Sequence, residues 1–465
     1  MRVLLIQPAQ DRGLGFRSLA VVEPLGLETI AGSIPEHEVR ILDLRLENNL
    51  GEVLKDFQPD FCGINCSFTI DVYQTREIAH KIKTWNKEAL VFVGGHHASL
   101  SPEDFYCPDI NGVVIGEGEV ALREIINVLE GGGDLRTIPG LFLNEPTAPW
   151  RTAERALISN LDEVPIPARH LTARYRKHYH LGFQKPFSIM ETSRGCPYRC
   201  DFCSVWKFFQ GKCRMKSPER VLEEIKTLKE KYVFLADDNF LISLPRAQRI
   251  AELILKHGIK KRFTFQARSD SIVQQPEIIS LLRKAGFWKV FIGFEKIDEE
   301  ELSQLNKHNS VQNNEEALKI LRAQGMEVIA AFIIDPSFQK DDFRRLRQYI
   351  LDRKLYSPSL TILTPLPGTE LFARVKEKLI TTNYELFDYV HAVLPTKLKL
   401  PDFYREFTEL YKTGYAWSQI GWEGLRAILC NAFSLSHLIS MKKAAWASVD
   451  PLNYLAGHER KKSYS

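Results

Sequence analysis

Twice along this chain short apolar runs alternate with longer amphipathic stretches, and a proline-rich interval separates the two alternations; few folds satisfy that order. In the first, candidate strands are Arg2–Gln7, His37–Leu42, Asp60–Cys66, Ala89–Val93 and Gly112–Ile115, with helical periodicity over Val72–Trp85 and Glu119–Leu129. Strand and helix in turn read as βαβ units, so residues 1–143 predict a doubly wound α/β domain on a parallel sheet. Residues 144–186, dotted with prolines and nearly free of periodicity, read as a linker. The second alternation offers strands at Phe187–Thr192, Tyr232–Ala236, Phe263–Ala267, Lys289–Phe294, Val328–Ile334 and Leu360–Leu363. Each precedes an amphipathic stretch, such as Pro218–Glu230 with its Val221, Ile225 and Leu228 stripe. Six such units predict a partial (β/α)6 barrel over 187–401, leaving 402–465 as a small helical segment.

Composition narrows the setting. The formal charge of +4 over 465 residues is small, and the basic residues are dispersed, which excludes an evident nucleic-acid surface. Eight cysteines, three of them in one loop, argue for a reducing compartment and against a disulfide framework. The apolar start Met1–Pro8 is too short for a signal peptide, and no uninterrupted apolar run is long enough to span a bilayer. These features predict a cytoplasmic protein.

The loop Gly195-Cys196-Pro197-Tyr198-Arg199-Cys200-Asp201-Phe202-Cys203 follows the first strand of the second alternation. Cys196, Cys200 and Cys203 supply three thiolates, and a 4Fe-4S cluster held by three leaves its fourth iron open to another ligand. The competing reading is a zinc site closed by Cys213. In such barrels the chemistry gathers at the C-terminal strand ends, and the polar runs fall there. Asp237-Asp238-Asn239 follows strand two, Gln266–Asp270 strand three, Gly293-Phe294-Glu295 strand four, Asp335-Pro336 strand five and Thr364–Thr369 strand six. In the first domain Ser67–Asp71, Gly94–Ser99 and Gly116–Glu119 occupy the equivalent loops, where doubly wound sheets bind ligands.

The spacing C-x3-C-x2-C, with an aromatic residue before its last cysteine, resembles the cluster loop of the radical S-adenosylmethionine (SAM) superfamily. That resemblance implies a 4Fe-4S cluster whose open iron chelates SAM, and a reducing electron donor. It further implies that Glu295 takes the ribose hydroxyls, Arg268 approaches the methionyl carboxylate, Asp238 or Asn239 receives the amino group and Phe202 lies near the adenine. Each has a bland alternative: Glu295 as the partner of Lys289 or Lys296, and Asp238 as the cap of a helix beginning near Ser243. The Gly94-Gly95 and Gly116-x-Gly118 turns ahead of such a barrel, with the connector Ile158–Arg169, resemble the cobalamin-dependent members. Gly94, Gly95, His96, Gly116 and Glu117 would then lie along cobalamin, with Ser67, Phe68 or Tyr73 towards its metal. One departure is plain: the family's D-x-H-x-x-G stretch reads Asp11-Arg12-Gly13-Leu14-Gly15-Phe16 here, without the histidine that ligates cobalt. The resemblance therefore implies cobalamin bound without a histidine ligand, as in the radical SAM methylases.

Within that family, Glu23-Pro24-Leu25-Gly26-Leu27-Glu28, Phe403-Tyr404-Arg405-Glu406-Phe407 and His458-Glu459-Arg460 look most like hopanoid C-3 methylases. The implied reaction methylates an unactivated carbon: a 5'-deoxyadenosyl radical removes hydrogen, and cobalamin delivers the methyl group. Two readings compete. The same architecture resembles the anaerobic magnesium-protoporphyrin monomethyl ester cyclase, which transfers no methyl group; a non-enzyme reading is a cobalamin sensor or carrier with a structural cluster. No residue of the reacting centre beyond the cofactor ligands is named by the motifs. The tail carries Leu425, Ile428, Leu429, Phe433, Leu438 and Ile439 on one helical face, which packs on the barrel or, in a second reading, makes peripheral contact with a membrane.

Overall fold

The computed structural model describes residues 1–9, 14, 20–356, 358–414 and 435–459. They form two compact units. The first comprises the N-terminal strand, Glu23–His178 and the short excursion Ser204–Met215; the second comprises Tyr179–Cys203 and the chain from Lys216 onward.

The first unit is built on strands β1 (Arg2–Gln7), β2 (Glu38–Asp43), β3 (Phe61–Asn65), β4 (Leu90–Gly94) and β5 (Gly112–Val114), all parallel. They lie in the order β2-β1-β3-β4-β5, so strand order reverses at β1. Val3 and Leu5 on β1, Phe61 on β3 and Phe92 on β4 pack with Leu27 and Ala31 of the helix Leu25–Gly32 and with Leu122, Ile125 and Ile126, because these strands are apolar on both faces. Helix α1 (Val72–Trp85) follows β3, the short α2 (His96–Leu100) follows β4 and α3 (Gly118–Glu130) follows β5.

The proline-rich interval departs from the linker expectation. Strands β6 (Leu141–Leu143) and β7 (Trp150–Arg151) extend the first sheet antiparallel at its edge, and the segment through His178 belongs to the same unit. Its anchors are buried charges: Glu23 binds Arg169 (3.3 Å) and Arg176, and Thr172 hydrogen-bonds Glu28. A periodicity search has no view of such long-range polar pairs.

The second unit holds six parallel strands in sequence order, β8 (Phe187–Met190), β9 (Tyr232–Leu235), β10 (Arg262–Ala267), β11 (Phe287–Glu295), β12 (Glu327–Ile334) and β13 (Ser359–Ile362). Helix α4 (Pro218–Thr227) starts where it does because Ser217 accepts the Arg220 amide and Pro218 needs no amide partner at its first turn. Phe240, Phe263, Phe265 and Phe287 interlock inside the barrel, with centroids 4.9–5.6 Å apart. Helix α5 (Leu400–Gly414) adds Phe403, Tyr404, Phe407 and Leu410 to the same core, so the start of the C-terminal segment is part of the barrel unit. Among the described residues no helix is long and apolar enough to cross a membrane. The apolar stripe proposed for Leu425 to Ile439, and residues 11–13, 15 and 16 of the missing cobalt-ligand motif, lie outside the residues whose side chains are described.

Candidate active site

The barrel site begins with a pinned strand end. The fully buried Asp237 carboxylate accepts the Thr192 amide (2.6 Å) and the Ser193 hydroxyl (2.7 Å), while Arg246 donates to the Thr192 and Lys216 carbonyls (2.7 and 2.8 Å). From that anchor Gly195 turns the chain in a left-handed conformation (φ 87°), and its amide binds Asp238 at 3.1 Å. Cys196, Cys200 and Cys203 follow, with the Cys203 amide closing on the Cys200 carbonyl at 3.1 Å. Burial pushes the Cys196 thiol up to about 11 and raises that of Cys200, the latter opposed by Lys307 and Arg268. Among the described residues no three potential ligand side chains converge as a preformed metal site. Cys213, the fourth thiol of the zinc reading, lies in the excursion that folds with the first unit.

Around this loop stand the other barrel residues expected from sequence. Asn239 is buried and its Oδ1 accepts the Arg268 amide at 3.4 Å, while its Nδ2 has no partner among the described residues. An orphaned buried donor at the barrel mouth fits a bound ligand with acceptor groups. Asp238 is raised to about 7 by burial and by the adjacent Asp237. The helix beginning at Leu244 has Ser243, and not Asp238, at its cap position. The Arg268 guanidinium grips Asp270 through Nε and Nη2, donates to the His308 carbonyl (2.8 Å) and lies 3.6 Å over the Tyr198 ring of the cysteine loop. Glu295 pairs with Lys307, whereas Lys289 binds Glu327 (2.7 Å) and Lys296 binds Glu301 (3.6 Å). Phe202 is half-buried in the loop itself.

In the first unit the three expected loops do come together. The Cys66 amide binds the Gly94 carbonyl (2.7 Å), and Ser99 Oγ receives the Gly116 amide (2.9 Å). Ser67 donates to Asn65 (2.8 Å), and Tyr73 is half-buried in the first turn of α1. His97 is consumed internally, between Thr69 (3.1 Å) and Asp104 (3.0 Å).

Sequence reasoning missed what His96 and Glu117 hold. Residues Ser204–Met215, immediately after the last cysteine, fold against these loops. His96 Nε2 meets Ser204 Oγ at 2.8 Å and its ring stacks on Phe208 at 4.6 Å, while Arg214 Nη1 binds both Glu117 oxygens (2.9 and 3.0 Å) and the Ile158 carbonyl (2.6 Å). Burial, and then His97, push the His96 imidazole down to about 4, so it is neutral at pH 7. The aromatic and basic content of Trp206-Lys207-Phe208-Phe209 and Arg214 was the available signal.

Comparison with known proteins agrees with this organisation. The Radical SAM superfamily profile matches residues 190–350 and the B12 binding domain profile residues 12–126. The chain is 34% identical over 417 residues to the hopanoid C-3 methylase of Methylococcus capsulatus, covering 88% of this chain and 79% of that one. It is 24% identical over 414 residues to the anaerobic magnesium-protoporphyrin IX monomethyl ester cyclase of Rubrivivax gelatinosus, with 85% and 73% covered. Among solved structures, the cobalamin-dependent S-adenosylmethionine radical enzyme OxsB with aqua-cobalamin bound superposes with a TM-score of 0.71 at 18% identity, over 98% of this chain and 78% of that one.

Proposed function

Because the chain belongs to the cobalamin-dependent radical SAM methylases, we propose that it methylates an unactivated carbon of a hopanoid-like lipid. The observation that carries the substrate class is the 34% identity to a hopanoid C-3 methylase along most of both chains; the cyclase is the more distant relative.

When bound, the cluster supplies the electron that splits SAM, and cobalamin carries the methyl group to the substrate. This chain's own residues then have separate tasks. Cys196, Cys200 and Cys203 are the thiol donors for three irons, a donor set that suits the group. Asp238 would receive the SAM amino group, and Asn239, whose unpartnered Nδ2 is a donor, would bind an acceptor atom of the methionyl group. Glu295, on a left-handed residue (φ 62°), presents its carboxylate to the ribose hydroxyls. Arg268, already neutralised by Asp270, holds Tyr198 and hence the cysteine loop as much as it attracts a carboxylate. On the other unit, Gly95 lets the loops after β3 and β4 close on one another. Gly116, with nothing within 4 Å of where a Cβ would stand, would allow close backbone approach by cobalamin, and the Ser67 hydroxyl lies on the same loop cluster.

The Asp238 carboxyl gives this reading a pH signature. Below about pH 7 it is largely protonated, and accepting a hydrogen bond from the SAM amino group as a carboxylate requires that proton to leave. SAM affinity is therefore expected to weaken as pH falls through about 7, by at most about tenfold per unit. Asp238→Asn removes the slope, as titration of SAM binding in anaerobic protein will show. For folding the sign is opposite: a carboxyl raised in the native state costs stability as pH rises from about 4 to 7.

The function is tested by incubating reduced enzyme with methyl-labelled SAM and a hopanoid lacking an A-ring methyl. The expected product is heavier by one labelled methyl group. Unlabelled cyclisation of magnesium-protoporphyrin monomethyl ester, with the hopanoid untouched, would instead establish the cyclase reading.

A further inference from the structure

Lys307 plays no part in any motif of the chain, yet it sits at the centre of the barrel mouth. The segment around it is held in an unusual shape: Asn306 and His308 are both left-handed without being glycine (φ 52° and 51°). It touches the cysteine loop twice, since the Asp201 amide reaches the Leu305 carbonyl (3.4 Å) and Asn306 Nδ2 donates to the Arg199 carbonyl (3.0 Å). His308 offers its carbonyl to Arg268, and Asn309 donates to Ser269 (2.7 Å). Between these anchors the Lys307 ammonium pairs with Glu295 and donates to the Gly293 carbonyl at 2.7 Å. Both side chains are nearly buried, at 8% and 11% exposure. A Cβ on Gly293 would stand 2.5 Å from Lys307 Nζ and 2.0 Å from the Glu295 carboxylate, so the absence of a side chain there makes room for the pair. Lys307 and Glu295 both act electrostatically on Cys200, in opposite senses.

We propose that Lys307 is a positioning residue that holds the Glu295 carboxylate for the SAM ribose and offsets its negative charge beside the cluster loop, so that the cluster is reduced more easily than it would be beside an uncompensated carboxylate. The first half rests on the assignment of Glu295 to SAM. The physical reasons are that a charge-assisted hydrogen bond orients a nearly buried carboxylate, and that a carboxylate left without its cation disfavours added negative charge on a nearby cluster.

The test uses anaerobically reconstituted protein, with SAM dissociation and the cluster midpoint potential as readouts. Lys307→Met is expected to weaken SAM binding by about tenfold or more and to lower the midpoint potential, and Lys307→Arg to restore both. Adding Lys307→Met to Glu295→Gln should weaken SAM binding no further. In metal-free protein, Lys307→Met should also speed hydrogen exchange across residues 196–203. Normal SAM binding and potential in Lys307→Met, beside weakened SAM binding in Glu295→Gln, overturns the role of Lys307. Unchanged binding in Glu295→Gln overturns the ribose assignment itself, and the positioning half with it. Lys307→Gln, which keeps a hydrogen-bond donor without the charge, carries the same expected fall in potential should the methionine variant not fold.

Discussion

Cys200→Ala protein, reconstituted with iron and sulfide, produces no 5'-deoxyadenosine and transfers no methyl group. Cys200 is the middle thiol of the three-cysteine loop, and a cluster left with two protein thiolates would not keep the single open iron that SAM requires. The fold survives, because the loop is pinned at its root by Asp237 and Arg246 and not by the thiol. Removing one small buried side chain costs about 1 kcal/mol, so melting of metal-free protein should scarcely move. Product analysis by chromatography checks the first outcome and calorimetry the second. Persistent SAM cleavage would contradict the cluster assignment; intact function without any SAM cleavage, in wild type and variant alike, would favour the sensor or carrier reading.

The second large effect separates two adjacent glycines. Gly95 has φ 124° and ψ 179°, a region open only to glycine. A Cβ there would meet the Cys66 carbonyl group at 2.7 Å and Asn65 Oδ1 at 2.8 Å. Backbone strain and clash together predict a loss of about 3 kcal/mol in Gly95→Ala. Because the clash falls between the loops after β3 and β4, cobalamin retention should drop sharply. Gly94→Ala is the control: its Cβ would meet only Val114, at 3.8 Å, an ordinary contact. Thermal melting of the two variants, with the cobalt content of Gly95→Ala set against wild type, decides the matter, and equal melting with cobalt retained would contradict the reading of these loops as a close-packed cradle.

How much the sequence revealed follows from which interactions are local. All six barrel strands lie within two residues of their expected positions, since alternation and periodicity are short-range properties. Helix α1 matches Val72–Trp85 at both ends. Glu295 was legible as a barrel-mouth carboxylate because it ends an apolar strand, but its partner was not: Lys289 and Lys296 are near in sequence, whereas Lys307 arrives by a left-handed turn that no periodicity encodes. His96 was legible as a residue of the loop after β4, but its contact with Ser204 spans 108 positions. The interval 144–186 was misjudged for the same reason. Its prolines signal irregular backbone correctly, yet irregular backbone tied down by Glu23, Glu28, Arg169 and Arg176 is part of a core and not a linker.

The central claim is that one chain carries both an iron-sulfur cluster and a corrinoid. The measurement that meets it most directly is the iron, cobalt and zinc content of protein made anaerobically with cobalamin available. About four irons and about one cobalt per chain are predicted, and zinc in their place, or iron without cobalt, would contradict the account.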